Sequence, residues 1–186
     1  MTPTAEPTRK AIPPYLFGHA AAGAALILMG YLLAYMIRFE SLLGSWTGPA
    51  VLTVVVMVMV MVLLTVRKEE GTLPFGRAFG LSLLAGVLAR LGYNLFNILL
   101  FHVMRPDLVD VYVDLILDKS NEVLMAFGGN MPAGMDEMME QSTRFSISVP
   151  GQLLDAGMNS IWVAFVALIV AAILKRSPAA EEGFNG

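Results

Sequence analysis

Four apolar runs, each about as long as a bilayer is thick, leave this chain very few ways to fold. They cover residues 15–37, 47–66, 78–104 and 153–174 of a 186-residue sequence. At a rise of 1.5 Å per residue, the first makes a helix of about 34 Å and the shortest, the second, one of about 30 Å, against a hydrocarbon core of about 30 Å. Lipid offers backbone groups no partners, so a spanning segment must satisfy its own hydrogen bonds. That requirement decides the second run, whose centre, Val54-Val55-Val56-Met57-Val58-Met59-Val60-Met61-Val62, has strand propensity. A lone strand would leave its N–H and C=O groups bare, so a helix is expected. Alternate methionines do not share a helix face, so these read as lipid-facing or packing residues, not as a metal relay.

Composition agrees with this reading. The chain is 56% hydrophobic and 15% charged, with a mean hydropathy of +0.68, where soluble domains carry about a quarter charged residues. So apolar a chain is not disordered, and the absence of cysteine excludes disulfides and thiolate metal sites. A net charge of −3 gives no basic field for nucleic acid. The first run is too long for a secretory signal peptide and lacks a cleavage pattern after Met36, so it is read as a retained helix.

Basic residues set the expected orientation. Arg9, Lys10, Arg67, Lys68, Arg77, Lys175 and Arg176 fall on one side, and Arg38, Arg105, Lys119 and Arg144 on the other. Both termini are therefore expected in the cytoplasm, with residues 1–14 a cytoplasmic segment, 15–176 the transmembrane domain and 177–186 a disordered tail. The charge then divides into +2 inside, −5 outside, and a neutral pair, Arg90 with Asp155, within the membrane.

The long outer connection, residues 105–151, has its own pattern. Asp107, Asp110, Asp114, Asp118 and Glu122 recur every three or four residues, with Leu108, Val111, Tyr112, Leu115 and Ile116 between them. This spacing predicts an amphipathic helix. Gly128-Gly129-Asn130-Met131-Pro132 breaks it before a second short helix over 134–143. No calcium-loop motif accompanies the acids, so they read as a solvated face.

Within the membrane the informative residues are polar. Arg90, Asn94 and Asn97 share one face of the third helix, with Tyr93 beside them; Gln152, Asp155 and Asn159 share one face of the fourth. Ionisable groups at such depth turn toward the bundle interior. If Met104 and Val149 mark the same membrane level, Asn97 lies opposite Asp155 and Asn94 opposite Asn159, with Arg90 deeper. Asp155 is then the counter-charge for Arg90, and Asn94, Asn97 and Asn159 complete its hydrogen bonds. The seam can act as structural glue, a ligand or lipid pocket, or an ion path, and glue suffices. His19 and His102 lie near opposite ends of the bundle and cannot share a metal. Gly18 with Ala22 and Ala20 with Ala24 have the spacing of close helix approach. Trp162 is expected to pack on another helix, with Trp46 and Phe39 in an outer aromatic belt. No hydrolase elbow, zinc-protease, P-loop or dinucleotide motif occurs, which leaves catalytic residues, metal and cofactor unassigned.

The run Gly71-Thr72-Leu73-Pro74-Phe75-Gly76-Arg77-Ala78-Phe79-Gly80, then Arg105-Pro106-Asp107, the Gly-rich break before an acidic short helix, and Ile173-Leu174-Lys175-Arg176 occur in an order that resembles the bacterial membrane family "domain of unknown function 4199", found mainly in Bacteroidetes and relatives. The resemblance spans about residues 15–176 and implies an integral inner-membrane protein with four helices, without supplying an activity. The expectation is an all-α integral membrane four-helix bundle with an amphipathic helical outer connection. Its expected role is a non-enzymatic accessory, scaffold or assembly subunit in contact with membrane lipids and a protein partner or second copy. The alternative is an oligomeric small transporter or channel using the seam.

Overall fold

A computed structural model describes residues 11–43, 46–129 and 132–175. Arg9, Lys10, Asn130, Met131, Arg176 and the tail over 177–186 lie outside the described residues. The described chain is all helical: α1 (Pro14–Ile37), a 3-10 turn (Phe39–Leu43), α2 (Thr47–Glu70), α3 (Phe75–Ile98) continued by a π-helical segment (Leu99–Met104), α4 (Leu108–Ala126), α5 (Met135–Ile147) and α6 (Val149–Leu174). Four of these, α1, α2, α3 with its π segment, and α6, are long and apolar enough to cross a membrane.

The ends of the helices follow local chemistry. Proline opens α1, and Pro74 stands immediately before α3. The second helix runs one turn past the apolar run, through Arg67-Lys68-Glu69-Glu70, because no breaker intervenes before Gly71 turns the chain at φ 71°. Similarly, α6 starts four residues before its apolar run. Ser148 caps it, its Oγ accepting from the Gly151 N–H at 3.2 Å, and Pro150 fits the first turn, where no intrahelical N–H is required.

The third helix, the most polar of the four, is the central one and packs on α1, α2 and α6. Small residues make this possible: Ala78, Ala85, Gly86, Ala89 and Gly92 are all buried. Gly92 brings the α3 backbone against Ala24 of α1 so closely that a Cβ there would strike the Ala24 carbonyl. Of the small-residue pairs in α1, Ala20 is buried and Ala24 meets Gly92, whereas Gly18 and Ala22 are exposed. In α2 the buried face is Val51, Val55, Val58, Met59, Val62, Leu63 and Val66, while Met57 and Met61 are exposed.

Large apolar side chains on the outside of the long helices, among them Leu26, Met29 and Leu33 of α1 and Ile161, Phe165 and Ile173 of α6, form surfaces suited to hydrocarbon, not water. Trp162 is 70% exposed and belongs to this outer surface, not to a helix contact within the chain. Phe39 is turned inward instead of standing in a belt, edge-on to Tyr35 and Tyr112 at 6.2 and 6.3 Å.

The connection between α3 and α6 packs at the end of the bundle away from the α2–α3 turn. Its anchor is Tyr112 of α4, edge-on to Phe101 of the π segment at 5.1 Å. Burial pushes the Tyr112 hydroxyl up to about 12. The π register, in which the Arg105 N–H reaches the Leu100 carbonyl at 2.8 Å, buries Leu100 and Phe101 where a regular α-helix was expected to run through Met104. The second short helix extends one turn beyond its expected end, to Ile147, which is buried.

Candidate functional site

The polar residues of α3 and α6 meet around one carboxylate. Asp155 Oδ2 accepts from Asn94 Nδ2 at 3.0 Å and from Arg90 Nη2 at 3.4 Å, and its Oδ1 accepts from Asn159 Nδ2 at 2.7 Å. Asn94 Nδ2 also lies 3.0 Å from Gln152 Oε1 and 3.1 Å from the Gln152 carbonyl. Three acceptors thus share two hydrogens. Gln152 in turn donates from Nε2 to the Ser146 carbonyl at 2.7 Å, which ties the cluster to the α5–α6 corner.

This arrangement differs from the depth match derived by taking Met104 and Val149 as level. Asn94, not Asn97, reaches Asp155, and Gln152 joins in place of Asn97. The reason is that α3 and its π segment extend past the start of α6, which shifts the register by about one turn. Asn97 bonds back to the Tyr93 carbonyl at 3.0 Å within its own helix. Tyr93 packs edge-on to Tyr31 at 5.2 Å, and the Arg90 guanidinium carbon stands 5.4 Å from the centre of the Tyr93 ring.

Two polar atoms of the cluster are buried without a partner, Asn94 Oδ1 and Arg90 Nε. Turning the Asn94 amide over would set its oxygen against three acceptors, so the chemistry fixes its orientation. The vacant acceptor is the cost, since an unmet buried group forfeits about 1–3 kcal/mol. The arginine is only loosely paired, at 3.4 Å, whereas Asn94 and Asn159 bond the same carboxylate at 3.0 and 2.7 Å.

Counting residues at 1.5 Å each, Arg90 lies about 22 Å from the start of α3 at Phe75, and Asp155 about 28 Å from the end of α6 at Leu174. The cluster therefore occupies the part of the span nearest α4 and α5. In the other half, α3 meets α6 through Gly86 with Val163 and Ser82 with Ala167. Ser82 is the one buried polar side chain of that half among the described residues.

A cleft flanks the cluster on each side. One, of about 570 Å³, lies between α1, α3 and α6, with an apolar wall that includes Ala21, Ala25 and Leu153, and with Asn94 and Gln152 in its lining. The other, of about 250 Å³, lies between α2 and α6 and contains Arg90 and Asn159. The polar cluster is thus the partition between two side openings of the bundle.

The acidic residues of the connection form a separate, solvent-facing set. Asp107, immediately before α4, receives Arg105 Nε at 2.9 Å on Oδ1 and Nη2 at 2.7 Å on Oδ2. Asp110 pairs with Arg144 of α5 at 2.7 Å, and Asp114, Asp118 and Glu122 are exposed. The hydrogen bonds from Arg105 hold the Asp107 carboxyl below the usual carboxylate range. A carboxyl depressed by folding contributes stability at neutral pH that is lost as pH falls through its lowered value. NMR titration is accordingly expected to show Asp107 protonating at higher pH in Arg105→Ala than in the parent, and an unchanged titration rejects the pairing. Among the described residues no three His, Asp or Glu side chains cluster as metal ligands.

Sequence reasoning found the polar residues of the cluster but missed its link to Ser146. The signal was present in Ser148-Val149-Pro150, which starts α6 early and sets Gln152 within its first turn.

These features define a polytopic membrane protein: four apolar helices with a hydrogen-bonded polar partition in one half of the span and an acidic helical pair at that end. The family described as Protein of unknown function (DUF4199) matches residues 17–176, and the chain belongs to it. No curated protein and no solved structure matches the chain.

Proposed function

We propose that this chain is a non-enzymatic accessory or assembly subunit of a complex in the bacterial inner membrane, with both termini cytoplasmic and α4 and α5 outside. The observation that supports this most is the convergence of the polar cluster on one carboxylate. Asn94, Asn159 and Arg90 converge on Asp155, while the interface toward the other end of α3 and α6 is apolar apart from Ser82. Polar contacts of this kind join membrane helices at around 1 kcal/mol each and need no transported ion to explain them. The exposed acidic faces of α4 and the outer surfaces of α1 and α6 are then available to a protein partner or a second copy.

The test has two arms. Single cysteines report the topology cleanly, since the chain has none of its own. A probe at Asp118 is expected to react with an impermeant reagent from the periplasmic side, and labelling from the cytoplasmic side rejects the orientation. Purified protein in liposomes is expected to carry no proton or potassium flux above empty vesicles, and to recover from gentle detergent extraction in fixed ratio with another chain or with itself. A flux abolished by Arg90→Gln or Asp155→Asn rejects the accessory role in favour of an oligomeric transporter.

A further inference from the structure

The cleft between α2 and α6 has features that glue alone does not require. Its α2 wall runs from Gly48, in the first turn, to Leu52 and Val55, about 10 Å further in. It therefore reaches from the end of the spanning helices inward to Arg90. Leu52 and Trp162 at its rim are 48% and 70% exposed, so the opening lies on the surface that faces hydrocarbon.

The charge inside the cleft is unequally shared. Asp155 is divided between two amides and meets Arg90 at only 3.4 Å. A guanidinium offers five donors, and here Nε is buried with no partner. No carboxylate belongs to the lining. The mouth adds the start of α2, where the helix dipole favours negative charge. Acceptor oxygens suit the polar end of this cleft, a hydrocarbon chain suits the rest, and its lining holds no carboxylate to pair with an ammonium group.

We propose that the α2–α6 cleft binds an anionic phospholipid from the bilayer, with Arg90 directed to headgroup oxygens and Leu52, Val55, Val163 and Trp162 against an acyl chain. A lipid fits better than a water-borne anion, because the walls are apolar and open sideways. The site does not depend on the accessory role; it rests on the cleft and on the incomplete pairing of Arg90.

Trp162 provides the readout. With Trp46→Phe it is the sole tryptophan of the full-length chain. That protein is reconstituted in phosphatidylcholine vesicles containing a small, equal fraction of either brominated phosphatidylglycerol or brominated phosphatidylcholine. Quenching of Trp162 by the anionic lipid is expected to exceed quenching by the zwitterionic one by about fivefold in apparent affinity, the selectivity of roughly one basic contact at a membrane. Arg90→Gln is expected to abolish the preference. Gly48→Leu tests the same point without touching the cluster: nothing lies within 4 Å of a Cβ built at Gly48, and a leucine there is expected to narrow the mouth of the cleft that Gly48 lines. Loss of the preference in Gly48→Leu, with quenching by phosphatidylcholine retained, supports the site even where Arg90→Gln does not fold. Equal quenching by the two lipids in the Trp46→Phe protein, or a preference that survives Gly48→Leu, overturns it.

Discussion

Replacing Asp155 with Leu is expected to destabilise the bundle by about 2–3 kcal/mol, read from reversible unfolding in mixed detergent micelles. The substitution leaves Arg90 uncompensated at a depth where a lone arginine costs about 2.5–3.5 kcal/mol on insertion scales. It also removes the acceptor of Asn94 and Asn159. Fully buried pairs lose about 3–5 kcal/mol when broken from one side. The lower figure applies here because the two side chains retain 19% and 34% of their exposure and meet at 3.4 Å. Arg90→Met is expected to cost a similar amount. The double variant Arg90→Met with Asp155→Leu is expected to recover about 1–2 kcal/mol of the summed loss, since neither charge is left behind. Strictly additive losses in the cycle show that the pair is not coupled.

Gly92→Ala is the second large effect. Overpacking in a filled interior costs about 1–3 kcal/mol, and this position belongs at the upper end. The added methyl meets the carbonyl, Cα and carbonyl carbon of Ala24, backbone atoms that yield only if α1 and α3 move apart. Gly86→Ala is a graded comparison: its nearest neighbour is the terminal methyl of Met59, at the end of a flexible side chain, and Val163 follows at 3.0 Å. Gly80→Ala meets nothing within 4 Å and is expected to stay within about 0.5 kcal/mol of the parent. The same unfolding measurement ranks all three. Equal effects at Gly92 and Gly80 contradict the close approach of α1 and α3.

Which polar residues matter was legible from spacing, because a helix repeats every three to four residues and lipid penalises every ionisable group it meets. Arg90, Asn94 and Asn97 were visible as one face and Gln152, Asp155 and Asn159 as another, with Arg90 and Asp155 as the charge pair between them. Which amides meet across these faces was not, because the vertical offset of two antiparallel helices is set by their ends. A π segment on α3 and a serine cap with proline on α6 moved those ends by a turn, taking Asn97 out of the cluster and bringing Gln152 in. Trp162 shows a different limit. Periodicity places a residue on a face, but in a membrane the outward face is as apolar as the inward one, so its composition does not reveal which is which.

The number of helices long enough to span, the helical state of a valine-rich segment and the identity of the polar seam are all legible in the order of residues alone. All three follow from the energetics of backbone and charge in hydrocarbon, which act on each segment separately. The packed helices add that α3 is central, that Gly92 brings it onto α1, and that the seam converges on Asp155 as a partition between two clefts. Those outcomes depend on how side-chain shapes fit between helices and where each helix ends, and no single segment carries that information.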